Sequence, residues 1–174
     1  DDDLFFGQGN KLYRVNTSGT LTYQASFPYA IADLCYFPVS GTDYLFIALE
    51  DTSYVAQTYW YMDTSENCTQ SNLANGTANF FTAVTTTLWL GVTPNSIRSN
   101  TSGLNGGAAW SGVTSVNASA KNITDLLSYN NALYIMKEDR PFYLDSSGVV
   151  QLLTNNTASI PSGYTYYGNN AVEW

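Results

Sequence analysis

Three observations predict an all-β chain, a β-propeller made of four-stranded blades. The composition is aromatic-rich and poor in charge, strand–turn–strand units recur along the chain, and no long amphipathic helix pattern interrupts them. Tyr, Phe and Trp make up 15% of the 174 residues and charged residues only 11%. Aromatic and β-branched side chains suit a pleated, half-buried surface. The abundant Asn, Ser, Thr and Gly suit the turns between strands.

The elements follow in order. A first set of strands reads "IADLCYFPV" (31–39), "NFFTAVTT" (79–86) and "ITDLLSYN" (123–130). A second reads "DLFFGQG" (3–9), "YLFIALED" (44–51), "TLWLGVTP" (87–94) and "ALYIMKED" (132–139). Hairpins come next: "LYRVNTSGTLTYQ" (12–24), "YWYMDTSENCTQ" (59–70), "NSIRSNTSGLNGGAAWS" (95–111) and "FYLDSSGVVQLL" (142–153). Each hairpin turns after Asn16, Asp63, Asn100 or Asp145, residues that cap turns and tolerate left-handed backbone. The units repeat every ~40–45 residues, the length of a propeller blade. About four units result, 3–27, 30–75, 79–117 and 122–154, with 167–174 starting or completing a blade. Either the ends meet and close a ring of four, hiding the sheet edges, or the chain is a fragment of a larger propeller.

The balance of charges restricts function. Net charge is −8, and the six basic residues Lys11, Arg14, Arg98, Lys121, Lys137 and Arg140 are scattered. A nucleic-acid surface needs them clustered, so no nucleic-acid partner is expected. No apolar run is long enough for a membrane span. The chain has no histidine, so His-based triads and the commonest metal ligand are missing. No catalytic, metal or cofactor motif is present, and the expectation is a protein without enzymatic activity. Two cysteines, Cys35 and Cys68, are too few for a disulfide scaffold, and strand spacing predicts that they do not pair.

The segment "ITDLLSYNNALYIMKEDRPFYLDSSGVVQLLT" (123–154) resembles repeats of β-propeller proteins of tailed bacteriophages, found among tail and receptor-binding structural proteins. Arg140-Pro141 stands where those repeats usually carry Gly. "TLWLGVTPNSIRSNTSGLNGGAAWS" resembles their preceding blade, and the likeness spans about 44–174. It implies a virion structural or host-attachment module, extracellular on the particle, in a multimeric assembly with other virion proteins or a host-surface glycan or protein. Relatives of that kind tend to continue past the point where this chain stops. Asn105, Gly107 and Trp110 are similar to the D-x-G-x-x-W Asp-box of sialidase-type propellers, with Asn for Asp and Gly103 in place of the usual Ser. In this reading Gly107 relieves a hairpin turn, and Trp110 enters the last strand and packs between blades.

Candidate site residues follow from these positions. Asp33 ("IADL") and Asp125 ("ITDL") occupy matching places and are the best carboxylate pair for a glycosidase. The competing reading is a repeated residue that hydrogen-bonds backbone at the channel. A sialidase-like clamp needs three arginines at the centre, whereas Arg14, Arg98 and Arg140 fall on or near the outer strands. Glu50-Asp51 and Glu138-Asp139 read as solvated turns. Tyr54, Tyr59 and Trp60 in the long excursion of unit two, and Tyr164, Tyr166 and Tyr167 in "YTYYG", are candidate contact residues, since Tyr and Trp anchor shallow interfaces. Inter-blade packing is their alternative role, and it is the expected one for Trp110, Trp89 and Tyr134. Seven N-x-[ST] sequons, at Asn16, Asn67, Asn75, Asn100, Asn117, Asn122 and Asn155, would carry glycans in a secreted eukaryotic protein. A chain this rich in Asn, Ser and Thr also produces them by chance.

Overall fold

The computed structural model describes residues 3–117, 121–145 and 148–153. Among them the chain forms strands, turns and loops, with no helix, so none is long and apolar enough to cross a membrane. Blade one holds β1 (Leu4–Gln8), β2 (Lys11–Val15) and β3 (Leu21–Ser26), in that order. Blade two holds β4 (Ala30–Val39), β5 (Thr42–Glu50), β6 (Ala56–Met62) and β7 (Cys68–Gln70), and the short β8 (Thr77–Ala78) also pairs with β6. Blade three holds β9 (Phe80–Val84), β10 (Thr87–Val92), β11 (Ser96–Asn100) and β12 (Thr114–Ser115). Blade four holds β13 (Ile123–Tyr129), β14 (Ala132–Lys137), β15 (Phe142–Leu144) and β16 (Val150–Leu152). Every pairing is antiparallel between chain neighbours except β6 with β8, and the first strands β4, β9 and β13 pack side by side. This is a β-propeller of meander blades. The 167–174 strand lies outside the described residues.

Blade stacking explains the apolar pattern. A sheet with one wet face alternates polar and apolar, but a blade is covered on both faces. Hence Phe46, Ile47, Ala48 and Leu49 of β5 are all fully buried. Ile47 and Leu49 join Leu12, Phe27 and Met62 between blades one and two. Phe46 and Ala48 point the other way, joining Phe37, Tyr59, Phe81, Leu88, Leu90 and Trp110 between blades two and three. A third layer, including Val84, Ile97, Leu126, Ile135 and Phe142, joins blades three and four.

The repeated turns share one device. The side chain of Asn16 accepts hydrogen bonds from the amides of Ser18 and Thr20, and Asp63 from those of Ser65 and Asn67. Asp145 accepts from Val149, and Asn100 from Ser102 and Gly103. Asp51 builds the same turn between β5 and β6, accepting from Ser53 and Val55. It is therefore a structural cap, where the sequence suggested only a solvated turn. One residue in each of these turns is left-handed: Gly19, Gly103, Gly148, and the non-glycines Tyr54 and Glu66.

Polar ties link the blades. Asn105 accepts from the Asn72 amide at 2.7 Å and donates to the Gln70 carbonyl at 3.0 Å. The degenerate Asp-box thus reaches back to blade two. Trp110 is 4% exposed and packs edge-on to Tyr59, and its indole N–H donates to the Tyr59 hydroxyl at 3.3 Å. It sits in the loop before β12 rather than on the strand, because 101–113 folds inward over the blade two–three core. Lys137 replaces the apolar Leu49 and Val92 of the sister strands and is fully buried. Its ammonium donates to the carbonyls of Val116, at 2.9 Å, and Asn117, joining blade four to blade three.

Two expected anchors differ. Trp89 is half-buried against the blade three–four layer. Tyr134 is also half-buried, but it lies in a ladder with Tyr129 and Tyr143 on the opposite face of its own blade. Residues alternate faces along β14, so Leu133 and Ile135 take the interface and Tyr134 cannot. Cys35 and Cys68 are free, on β4 and β7, with two strands between them.

Candidate functional site

The matching aspartates occupy matching bulges, between Ile31 and Asp33 in β4 and between Ile123 and Asp125 in β13. A bulge turns the side chain back onto the strand. Each carboxylate accepts from the next amide, Leu34 or Leu126, at 2.8 Å. Asp33 also accepts from the Phe81 amide of blade three at 2.7 Å, so it clips two inner strands together. Burial pushes its carboxyl up to about 6 against the opposing pull of those two amides, and the like charge of Asp125 adds to the rise. Both Asp33 oxygens are thus engaged with backbone. Arg14, on β2, pairs with Asp3 and Glu66, and the Arg98 guanidinium, on β11, donates to the Ser111 carbonyl. Arg140 pairs with Asp139 in the turn after β14. The three arginines do not meet.

The structure separates the aromatic contact candidates. Tyr54 is 72% exposed, with Val55 exposed beside it, at the tip of the β5–β6 turn. Its φ is 61°, and its carbonyl accepts from the buried Asn79 side chain at 3.1 Å, which fixes the turn against blade three. Tyr59 is a correction: it is fully buried, ringed by Phe46, Phe81 and Trp110, and its hydroxyl donates to the Gly103 carbonyl. Strand alternation in β6 turns it into the blade two–three core, where no ligand reaches it. Trp60 points to the other side, half-buried and edge-on to Phe27. It packs blade one against blade two, a second correction. Tyr164, Tyr166 and Tyr167 lie outside the described residues.

The sequons divide similarly. Asn67, Asn75, Asn117 and Asn122 are exposed and Asn16 is half-exposed, although the Asn16 side chain caps its turn. Asn100 is 5% exposed and uses both side-chain atoms, donating to Ala108 and accepting from Ser102 and Gly103. A glycan there would break the turn, so this sequon is structural. Asn155 lies outside the described residues.

A groove that sequence reading missed lies between blades one and two, at the end of the blades opposite Tyr54. Its volume is about 510 Å³. Phe5, Leu34, Tyr36, Tyr44, Leu45 and Met62 supply its apolar lining, and Asp3, Arg14, Asp43, Asp63, Thr64 and Glu66 its polar lining. The Tyr36 hydroxyl donates to Asp43 at 2.6 Å. Asp63 is held below the usual carboxylate range, first by the Asn67 amide. These residues are up to about sixty positions apart in the chain and share no motif, so no local signal could have found them.

No family model matches the chain, and no curated protein matches it. Solved structures do. The chain is similar to a domain described as the extracellular part of a hybrid two-component system from B. thetaiotaomicron. The TM-score is 0.66 at 13% identity, over 92% of this chain and 21% of that one. It is also similar to an exo-beta-1,3-galactanase from Phanerochaete chrysosporium, solved with beta-1,3-galactotriose. There the TM-score is 0.51 at 18% identity, over 83% of this chain and 41% of that one. The chain spans less than half the length of either. At these identities the likeness extends to the fold.

Proposed function

We propose that the chain is a non-catalytic, carbohydrate-binding β-propeller module acting outside the cell, and that its setting is a bacteriophage tail, where it attaches the virion to a host surface. The observation that carries the attachment reading is Tyr54. A large aromatic stands exposed and left-handed at a turn whose equivalents carry Gly19, Gly103 and Gly148, or Glu66, whose side chain is tied to Arg14. A non-glycine residue there costs about 1 kcal/mol or more, and such strain is retained where something else needs the side chain. Tyr is a rigid, amphipathic contact residue suited to sugar or protein surfaces. The extracellular setting draws on the bacterial extracellular domain and the sugar class on the galactanase. The tail setting rests on the repeat resemblance at 123–154. Absence of catalysis is supported by the engagement of both Asp33 oxygens with backbone amides.

Single contacts of this kind are shallow, and many copies on a particle raise avidity without tight individual sites. The test pairs a bacterial cell-binding assay with a glycosidase screen on purified protein. Tyr54→Gly relieves the strained turn and raises stability by about 1 kcal/mol while weakening cell binding. Undiminished cell binding by Tyr54→Gly would refute the attachment role. Glycoside turnover lost in Asp33→Asn would refute the non-catalytic reading.

A further inference from the structure

We infer that the groove between blades one and two is a second binding site, taking a neutral saccharide. It goes beyond the attachment role of Tyr54 and shares with that reading only the ligand class. The site is concave and half-walled by aromatic and apolar side chains, and its volume of about 510 Å³ falls in the range of small-molecule sites. A sugar ring has an apolar face and an equatorial belt of hydroxyls, each both donor and acceptor. Tyr36, 59% exposed and on the same face as Leu45, offers the sugar's apolar face a ring, whereas Tyr44 turns its own ring to the blade two–three side against Tyr61. The polar rim holds both kinds of partner in fixed positions. The Arg14 guanidinium is strapped between Asp3 and Glu66, and Asp43 is oriented by the Tyr36 hydroxyl. Planar carboxylates and a guanidinium present paired hydrogen-bonding atoms at the spacing of neighbouring hydroxyls. Preorganised groups of this sort lower the cost of binding.

Charge narrows the ligand further. Arg14 is the one basic residue against Asp3, Asp43, Asp63 and Glu66. Acidic sugars are therefore repelled. The acids are spread along the rim, and no three of them gather as metal ligands among the described residues. Two are occupied with Arg14 and one with its own turn, which leaves hydroxyl recognition rather than chelation.

The experiment titrates the purified chain with maltotriose, cellotriose and β-1,3-galactotriose as neutral probes, glucosamine as a cation and glucuronate as an anion. Binding is read by NMR shifts of the ring signals of Phe5 and Tyr36. At least one neutral trisaccharide is expected to shift these signals, with little dependence on salt, while glucuronate does not. Tyr36→Ala, which removes an exposed ring, should weaken that binding by about tenfold, equivalent to about 1.4 kcal/mol. Tyr36→Phe, which removes only an exposed hydroxyl, should weaken it severalfold without changing the melting temperature. Tyr54→Gly should leave it unchanged, so this site and the attachment reading fail separately. The inference is overturned if no neutral probe shifts the groove signals, if only glucosamine does, or if binding survives Tyr36→Ala in folded protein.

Discussion

Titrating Asp33 should change the stability of the whole propeller. Its carboxyl ordinarily ionises near 3.8, and burial in the folded chain raises this to about 6. A raised folded value means that the folded state holds its proton more tightly than the unfolded chain does. The stabilising contribution is therefore fully present below about pH 3.8 and is lost as pH rises through about 6. At about 1.4 kcal/mol for each tenfold change in proton affinity, the difference amounts to up to about 3 kcal/mol. That is a large fraction of a domain's ordinary stability of about 5–15 kcal/mol. The assay is urea unfolding of the wild type and of Asp33→Asn at half-unit steps between pH 4 and 7. Asparagine cannot titrate, so the difference between the two proteins isolates this group from the other acids. Wild type should lose up to about 3 kcal/mol relative to Asp33→Asn between pH 4 and 7, with the steepest change near pH 5, midway between the unfolded and folded values. A constant difference across that range, or one that grows in favour of wild type, would refute burial as the dominant influence on Asp33.

Two further substitutions test the inter-blade ties. Asn105→Asp restores the acidic residue of the Asp-box but faces a carboxylate oxygen to the Gln70 carbonyl in place of the N–H that now donates to it. It should destabilise by about 1–3 kcal/mol, measured by denaturant midpoint, and a gain in stability would show that the bond to blade two is unimportant. Trp110→Ala empties the centre of the blade two–three core and should cost about 3–5 kcal/mol in the same assay. An unchanged melting temperature with lost sugar binding would make Trp110 a ligand contact instead.

Local chemistry was legible in the chain alone. The turn residues Asn16, Asp63, Asn100 and Asp145 cap turns in the structure because an Asx side chain bonds amides only a few residues ahead. Strand positions and the blade repeat were readable for the same reason: alternation and turn spacing are properties of neighbouring residues. Which face a strand residue takes was not. Tyr59 and Trp60 are adjacent and chemically alike, yet one fills the core between blades two and three and the other packs on blade one. The choice depends on which blade lies on each side, and so on the tertiary stacking. The groove belongs to the same class, since Arg14 meets Glu66 only when blades one and two pack together. So does the ionisation of Asp33, whose matched place in "IADL" was visible in the sequence. Its raised value comes from burial, and its second amide partner from a blade some fifty residues further along the chain.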